Sequence, residues 1–413
     1  MNKKTAVALA VGALFATPAL AQSTLEIYGK LYPEVSWTKG SGASAPGDVN
    51  ATLVAGDGTV NGNHKGRGSV DTANSYVGFR GEEKLGGSLA TIWQIETRTR
   101  FDTGSGGFWA NGRNSFLGLR GGFGTVKLGN MDTIYKEYGA VVGNFFGASS
   151  GNFVSSSNVL SANGLGVEGA GGSFDDTGFH IRAPNSIQYQ TPDFGGFQGG
   201  VQFSPDEHKG DPASATRLEG QNTNLWSFGL KYEAGPIYAS VQHERHNDWF
   251  DASTQIEEAG GAATSNTESR DRATRFSGSY AVTKQHKISA DFAIMEWKES
   301  GGVAGDFANL KKRSFAVGWQ AEWGGPWKSE ITYVRNNKGT CAVQGGGDCS
   351  TDGLEGHLIS AGVGYSFSKR TTLYGLASKL TSGKSAIYDQ AANFDPNRGE
   401  DTTAFAIGVV HSF

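Results

Sequence analysis

The chain has 413 residues, including 62 Gly, 10 Pro and 2 Cys, and its formal net charge is −4. Hydrophobic residues make up 37% of it and charged residues 18%, both below what a soluble protein of several domains contains. High Gly with little Pro excludes collagen, the 11% aromatic content excludes disorder, and the near-neutral charge disfavours nucleic acid as a partner. The composition favours a turn-rich all-β protein.

Residues 1–21 have the layout of a secretory signal peptide. Lys3 and Lys4 precede an apolar stretch, and Ala19-Leu20-Ala21 forms a small-x-small cleavage site. The apolar stretch is too short to span a bilayer, so a buried or membrane-spanning helix is the weaker alternative. We therefore expect an exported mature chain, residues 22–413, that forms a single domain.

From Leu25 onward, apolar and polar residues alternate with the period of a β-strand. Leu25 and Ile27 share one face, whereas Glu26, Tyr28 and Lys30 share the other. Sixteen such segments occur, each about as long as a tilted strand needs to cross a bilayer. Their cores lie near 24–37, 73–83, 88–101, 113–121, 124–130, 184–192, 197–204, 224–233, 236–246, 272–282, 285–297, 313–323, 326–336, 357–367, 370–380 and 402–413.

The connections between these segments alternate strongly in length. Tight turns such as Gly86-Gly87 and Gly324-Gly325 alternate with long polar connections, of which 131–183 is the longest. This alternation predicts a 16-stranded antiparallel transmembrane β-barrel with short periplasmic turns and long external loops. A soluble sandwich or β-helix is the alternative, but no linker divides the chain and no calcium-binding Gly-rich repeat occurs.

A barrel of this size is too wide for side chains to fill, so water enters it. Its interior face must then be polar and its outer face apolar. Aromatic residues near strand ends are candidates for the two girdles at the membrane interfaces. They are Trp37, Tyr76, Trp249, Trp297, Trp323, Trp327, Tyr333 and Tyr374.

The two cysteines, Cys341 and Cys349, lie close together in a Gly-rich stretch. An exported chain passes through an oxidising compartment, so we expect them to form a disulfide. A metal site is the alternative, but two thiols with His357 nearby fall short of a closed tetrahedral ligand set.

We find no catalytic, metal or cofactor constellation. His243 and His246 lie three positions apart on a strand and so point to opposite faces. Gly122 and Gly124 precede a strand and not a helix, which disfavours a phosphate-binding loop. We identify no Ser or Asp nucleophile with an oriented His, so we expect neither an enzyme nor a bound cofactor.

Residues 75–89 read SYVGFRGEEKLGGSL and residues 113–129 read RNSFLGLRGGFGTVKLG. Together they resemble strands two to five of the Gram-negative general porins, in the branch typified by β-proteobacteria. Residues 185–197 resemble its sixth strand, and 358–380 its penultimate hairpin. The terminal Phe413 resembles the aromatic end that barrel-assembly machinery recognises. Tyr76, Lys84 and Gly129-Asn130-Met131 depart from the family pattern, so ion preference is not carried over.

The resemblance implies an outer-membrane porin that lets small hydrophilic solutes and ions diffuse passively. It also implies a homotrimer in contact with outer-membrane lipid and lipopolysaccharide, and a third long connection that folds into the lumen. Two alternatives remain: a substrate-selective channel, for example for organic anions, and a barrel that acts mainly as a surface adhesin.

We hypothesise that cations on the lumen face of the first five strands oppose acids of the inward loop across a constriction. Such a field would favour polar solutes, with a weak preference for anions. In the alternative, the cations pair with carboxylates of the same wall, Glu26, Glu34, Glu82 and Glu96, and only stiffen it. The cations are Lys30, Arg80, Arg98, Arg100, Arg120 and Lys127, and the acids are Asp132, Glu137, Glu168, Asp175 and Asp176.

Overall fold

A computed structural model of the chain describes residues 23–53, 62–72, 74–104, 112–139, 141–143, 153–166, 178–205, 223–249, 268–388 and 394–413. The signal peptide expected at 1–21 lies outside these residues. Two short helices are described, α1 (Ile134–Gly139) and α2 (Ser157–Leu160). The described strands are β1 (Ser23–Leu31), β2 (Glu34–Ser41), β3 (Arg67–Asp71), β4 (Tyr76–Gly86), β5 (Leu89–Arg98), β6 (Ser115–Gly121), β7 (Gly124–Asp132), β8 (Arg182–Gln190), β9 (Phe197–Ser204), β10 (Asn224–Ala234), β11 (Ile237–Asn247), β12 (Glu268–Ala281), β13 (His286–Ser300), β14 (Phe307–Glu322), β15 (Trp327–Asn336), β16 (Thr340–Val343), β17 (Gly356–Ser366), β18 (Thr371–Ser382) and β19 (Asp401–Ser412).

The strands form one antiparallel sheet that closes into a barrel, because β1 pairs with both β4 and β19. The wall has the sixteen strands predicted from the alternation, since β1 and β2 are two parts of one wall strand and β3 and β4 are two parts of the next. The first is interrupted at Pro33, which has no N–H to give to the ladder. Beside Pro33, the Tyr32 N–H donates to the side-chain Oγ of Ser75 at 2.8 Å and not to a backbone carbonyl of the neighbouring strand.

The external ends of some strands differ from the prediction. β14 begins at Phe307, not near residue 313, and the short strand β16 pairs with it inside the predicted loop 337–356. Both additions lie at the end of the barrel with the long connections. At this end the strands continue beyond the segments that alternate in sequence. Loops pack against the extensions and pair with their backbone, which the side-chain pattern does not reveal.

The outer face is apolar and exposed, as the alternation predicted for a lipid-facing surface. Leu25, Ile27 and Ile407 are more than half exposed although all three are apolar strand residues. Of the aromatic girdle candidates, Trp37, Trp323 and Trp327 are exposed, and Tyr333 packs beside Phe315 on the outer face.

Four of the girdle candidates were wrong. Trp297 and Tyr374 are each 1% exposed, because both lie on the inward face of their strands. Tyr76 lies under the Arg113 guanidinium, and Trp249 packs beside a buried cluster that contains Leu225. Position near a strand end does not determine which face a side chain occupies.

The main apolar core lies inside the barrel, where external loops meet the inner wall. It joins wall residues such as Trp297 and Leu310 to Leu160 of α2 and to Leu354 and Tyr388 of later loops. Among the residues that the structure describes, neither helix is long and apolar enough to cross a membrane.

Cys341 and Cys349 form the expected disulfide, with their Cα atoms 5.7 Å apart. It closes the connection between β15 and β17. The connection between β2 and β3 packs against it, since the Thr52 N–H donates to Ser350 O at 3.0 Å and Leu53 is buried in the core. The bridge therefore stiffens a cover of external loops over one side of the barrel mouth.

Candidate functional site: the lumen and its constriction

The connection after β7 turns into the barrel and lies against the inner wall. The Tyr135 N–H of α1 donates to Ser227 Oγ at 2.9 Å, and Ser277 Oγ donates to the Gly139 carbonyl at 3.0 Å. Ser240 Oγ donates to the Tyr138 carbonyl at 2.9 Å. These three serines belong to β10, β11 and β12, so inward-facing hydroxyls of three adjacent strands hold α1 by its backbone.

The wall beneath α1 lacks side chains where the helix approaches most closely. A Cβ added to Gly200 of β9 would lie 2.7 Å from Ile134 Cδ1, and one added to Gly229 of β10 would lie 2.8 Å from Tyr138 Cδ2. Real Cβ atoms do not approach other atoms so closely. A Cβ at Gly229 would displace the Tyr138 ring, and one at Gly200 would displace the end of the Ile134 side chain, so Gly at these positions lets α1 pack closely against the strands.

A buried ion pair stands at the end of α1. Arg275 Nη2 lies 2.8 Å from Asp291 Oδ2, and both side chains are fully buried. The Val142 N–H donates to the same carboxylate at 3.3 Å, and the Arg275 guanidinium lies 5.9 Å from the Tyr135 ring centroid. The pair joins β12 and β13 of the wall to the inward connection.

The second described part of this connection, residues 153–166, crosses to β14, β15 and β17. Asn336 Nδ2 donates to the carbonyls of Val159 and Ala162, both at 2.8 Å. The buried Lys312 ammonium donates to Asn163 O at 2.8 Å, to Leu354 O at 2.7 Å and to the Tyr388 hydroxyl at 2.8 Å. Lys312 therefore connects the inward segment with the connections that follow β16 and β18.

The expected cations lie on or beside the inner face of β1 and β4–β7, outside the strands β9–β12 that α1 covers. Arg80 makes two hydrogen bonds of 2.8 Å to Glu26, and Arg120 Nη2 lies 2.7 Å from Glu82 Oε2. Both arginines are 52% exposed, in contrast to the fully buried Arg275. This wall is thus open to the water of the lumen, whereas the wall under α1 is covered.

The remaining expected cations occupy different heights of the same region. Lys30 lies over the Tyr32 ring, 4.9 Å from its centroid, and Lys127 lies 5.1 Å from the centroid of Phe116. Arg98 ends β5 opposite Tyr76. Arg100 lies beyond that strand, where it lines a cavity of about 350 Å³ near the external end.

The expected acids are distributed less simply. Asp132 lies 3.2 Å from Lys136 Nζ and 3.0 Å from Arg182 Nη2, and Asn114 donates to it at 2.9 Å. Glu137 of α1 accepts a 2.7 Å hydrogen bond from Gln190 Nε2, and it lies within electrostatic range of Lys127. Glu168, Asp175 and Asp176 lie outside the described residues.

Sequence reasoning missed Arg113, which lies beside the cation wall. Its guanidinium stacks on the Tyr76 ring at 4.6 Å and pairs with Glu96, which also accepts a 3.0 Å hydrogen bond from the Tyr28 hydroxyl. Arg113 begins the segment predicted at 113–121, where alternation places it on the face of Leu117 and Leu119. In the structure it precedes β6 by two residues, and its side chain instead joins Tyr76 and Glu96 on the lumen side.

Two buried groups of the inward connection have shifted pKa values. Burial, followed by the positive charges of Lys136 and Arg275, holds the pKa of His180 well below its ordinary value. Burial raises the pKa of the Tyr138 hydroxyl. Both shifts favour the neutral form of the side chain. Within the described part of the chain, no group of three or more His, Cys, Asp or Glu side chains could hold a metal ion.

Comparison with known proteins gives a consistent result. A family model described as Gram-negative porin matches residues 6–385. The major outer membrane protein P.IB of Neisseria lactamica is 26% identical over 418 residues, and the outer membrane porin protein 32 of Delftia acidovorans is 28% identical over 426 residues. Each alignment covers 100% of both chains.

Solved structures show the same fold. An anion-selective porin from Comamonas acidovorans matches with a TM-score of 0.68 at 22% identity, over 95% of this chain and 100% of that one. The trimer form of OmpT from Vibrio cholerae matches with a TM-score of 0.61 at 14% identity, over 95% and 99%.

Proposed function

Since the chain belongs to the Gram-negative porin family and forms an outer-membrane channel for passive diffusion of small solutes, we propose that its lumen favours anions. The observation that carries this is the exposed cation wall beside the covered one. Among the described residues, seven cations, namely Lys30, Arg80, Lys84, Arg98, Arg113, Arg120 and Lys127, stand there against four carboxylates, namely Glu26, Glu82, Glu96 and Asp132.

The excess of positive charge acts where the lumen is narrowed by the inward connection. Field lines are concentrated in a narrow water-filled passage between low-dielectric walls, so charges at that height outweigh charges on distant loops. Glu137 of α1 gives the field a transverse direction, from Lys127 towards Glu137. Ion pairs within the wall weaken this field, since Arg80 pairs with Glu26 and Arg120 pairs with Glu82. Lys30 and Lys127 therefore contribute most.

The relative from Comamonas acidovorans is described as anion-selective, which supports the same preference here. The family of this chain is described as Gram-negative porin, and its members are channels. We propose that this chain likewise has no enzymatic activity. Residues 1–21 act as the cleaved export signal.

Assembly completes the proposal. The trimer form of the Vibrio cholerae relative supports a homotrimer, with the exposed apolar faces of β1, β2 and β19 as its interface. Leu25, Val35 and Ile407 are each more than half exposed on those strands. Lipid and lipopolysaccharide contact the rest of the outer face, and the C-terminal Phe413 is the residue that barrel-assembly machinery binds.

The test is a reversal-potential measurement in planar bilayers across a salt gradient. The Lys30→Gln/Lys127→Gln variant should reduce the anion-to-cation permeability ratio by roughly threefold, because it removes two lumen charges that form no ion pair with a described residue. The outward-facing Lys379→Gln is the matched control and should leave the ratio unchanged. An unchanged ratio in the double variant would contradict the proposed anion preference.

Liposome swelling with sugars of graded size separates the remaining functions. Uptake that falls with solute size and does not saturate supports a general diffusion channel. Saturation with one solute class would instead indicate a substrate-selective channel, and absence of uptake would indicate an adhesin.

A further inference from the structure

Two buried oxygen atoms of neighbouring side chains lie at the external end of β12, on the inner face of the barrel. Asp271 is 2% exposed and Ser269 is 3% exposed. Neither Asp271 Oδ2 nor Ser269 Oγ has a hydrogen-bond partner among the residues that the structure describes. A buried oxygen without a partner is destabilising, and a bound water molecule or ion is the usual explanation for one.

The carboxylates of neighbouring strands converge on these two atoms. Glu299 of β13, also 3% exposed, lies directly opposite Ser269 in the ladder. The Lys298 N–H donates to Asp271 Oδ1 at 3.1 Å, which directs the Asp271 carboxylate towards β13. Just after β11, Asp248 Oδ1 accepts from the Ser269 N–H at 2.9 Å. The external ends of three strands thus bring three carboxylates around one hydroxyl.

Among the described residues, the strongest charges that act on Asp271 are negative. They are the charges of Glu299, Asp248 and Glu296. Glu296 lies on the outer face and has cationic partners of its own there. His246 lies directly opposite Asp271, but its 3.0 Å hydrogen bond goes to a further carboxylate, Glu244. Buried carboxylates are stable when they are paired with a cation or coordinate a metal ion, so this arrangement favours a bound cation.

We infer that Asp271, Glu299 and Ser269 bind one calcium ion. Carboxylate and hydroxyl oxygens suit Ca²⁺, which completes a flexible shell of ligands with backbone carbonyls and water. Mg²⁺ demands a near-ideal octahedron and gives up its water reluctantly, so it fits a buried site less well. No third acidic or imidazole side chain in the described part of the chain completes the set. The affinity therefore lies in the range of weak extracellular sites, with a dissociation constant of about 10⁻⁴–10⁻³ M.

The calcium site adjoins the place where the inward connection returns to the wall. Phe179 of that connection packs beside Trp297 and His246, with ring centroids 5.6 and 4.9 Å apart. Trp297 precedes Glu299 by two residues and so shares its inward face. A calcium ion between β12 and β13 therefore fixes the strand ends against which the returning segment packs.

The experiment uses the full mature chain, refolded in detergent without lipid and freed of metal with EDTA. Thermal unfolding is followed as calcium chloride is added, and magnesium chloride is tested in parallel. The unfolding temperature of the parent should rise with calcium, saturate in the millimolar range and respond less to magnesium. Asp271→Asn should weaken the apparent calcium affinity about tenfold or more, because one of two carboxylate ligands is lost. Without metal it should be at least as stable as the parent, since a buried charge is removed.

Glu268→Gln is the matched control. Glu268 lies at the same end of β12, but it is exposed and pairs with Arg270. Its removal should leave the response to calcium unchanged. A heat-modifiable barrel on gel electrophoresis verifies that each variant is folded. If Asp271→Asn does not fold, Glu299→Gln replaces it, with the same loss of the calcium response expected.

Terbium provides a second readout that depends on location. Tb³⁺ replaces Ca²⁺ at oxygen sites and luminesces when a nearby indole transfers its excitation energy. The parent should show this luminescence on excitation of tryptophan, and added calcium should quench it. Trp297→Phe should remove most of the luminescence while the rise in unfolding temperature with calcium is kept.

The inference is overturned if calcium leaves the unfolding temperature of the parent unchanged, which a proton shared by Asp271 and Glu299 would explain. It is also overturned if Glu268→Gln loses the calcium response as Asp271→Asn does, or if magnesium stabilises the parent as much as calcium. None of these measurements depends on the ion preference of the lumen, so the two proposals fail separately.

Discussion

Gly29 and Phe413 exchange two backbone hydrogen bonds, with N···O distances of 3.2 and 3.1 Å, and so join the first strand to the last residue of the chain. A Cβ on Gly29 would lie 2.5 Å from Phe413 Cζ and 2.7 Å from the Tyr76 carbonyl oxygen. The barrel therefore closes at Gly29, where a side chain would collide with both Phe413 and Tyr76.

Gly29→Val should impair closure. Overpacking at this contact costs about 1–3 kcal/mol, and a lower yield of heat-modifiable barrel on refolding would measure the effect. Gly375→Val on β18 is the control, since a Cβ there meets nothing closer than 3.9 Å. Equal refolding yields for the two variants would show that the seam tolerates a side chain.

Asp291→Ala should release part of the inward connection from the wall. It leaves the Arg275 guanidinium buried without its carboxylate, and such a loss destabilises by about 3–5 kcal/mol. We expect larger and noisier single-channel currents. The double variant Arg275→Met/Asp291→Ala removes the stranded charge and should recover part of the stability, as measured by thermal unfolding. A double variant less stable than Asp291→Ala would contradict this account.

Acidification should loosen the same connection through His180. Its pKa in the folded chain lies well below the ordinary 6.5, because burial and the nearby charges of Lys136 and Arg275 disfavour the imidazolium. As the pH falls below 6.5, the unfolded segment takes up a proton that the folded one does not. The inward connection therefore loses, as the pH falls from 6.5 towards the pKa of folded His180, the stability that it has above pH 6.5.

Protease cleavage of the inward connection, followed from pH 7 to pH 5, measures this loss. His180→Asn removes the titrating group while tolerating the backbone φ of 84° at this position. Cleavage of the variant should depend less on pH. A variant with the same pH profile as the parent would exclude His180 as the cause.

Lys312→Met should loosen the external loops. It removes the buried donor to Asn163 O, Leu354 O and the Tyr388 hydroxyl. Leu354 O still accepts from the Tyr388 hydroxyl at 2.9 Å, whereas an acceptor left unsatisfied costs about 1–3 kcal/mol. Faster proteolysis of the connections after β16 and β18 would confirm the role. Lys311→Met is the matched neighbour, because Lys311 is exposed on the outer face. Similar cleavage rates in both variants would count against Lys312 as the link.

The wall of the barrel was predictable because each strand encodes two environments in alternate residues. Leu25 is apolar because it faces lipid, and Glu26 is polar because it faces the water of the lumen. Alternation fails where a side chain is apolar on the inner face. Trp297 is such a residue, since the inward connection gives it an apolar environment inside the barrel.

Strand alternation predicted the face of the cations, and pairing with carboxylates of the same wall was the alternative, but it did not predict which cation pairs with which carboxylate. Strand parity placed Arg80 and Glu26 on one face, yet their hydrogen bonds depend on cross-strand register, which the sequence alone does not state. The contacts of α1 with β9–β12 depend on loop conformation and on Gly200 and Gly229. Period-two reasoning treats those glycines as neutral strand positions.

The distance along the chain between the inward connection and its anchors has a consequence for biogenesis. Val159 is held by Asn336, 177 residues later, and Leu160 by Ser314, 154 residues later. The narrow part of the lumen therefore cannot form until the strands of the C-terminal half have been inserted into the barrel. A sheet whose insertion stalls before β15 would be neither closed nor narrowed, because closure needs β19 to pair with β1. Closure of the wall and narrowing of the lumen are therefore a single late event.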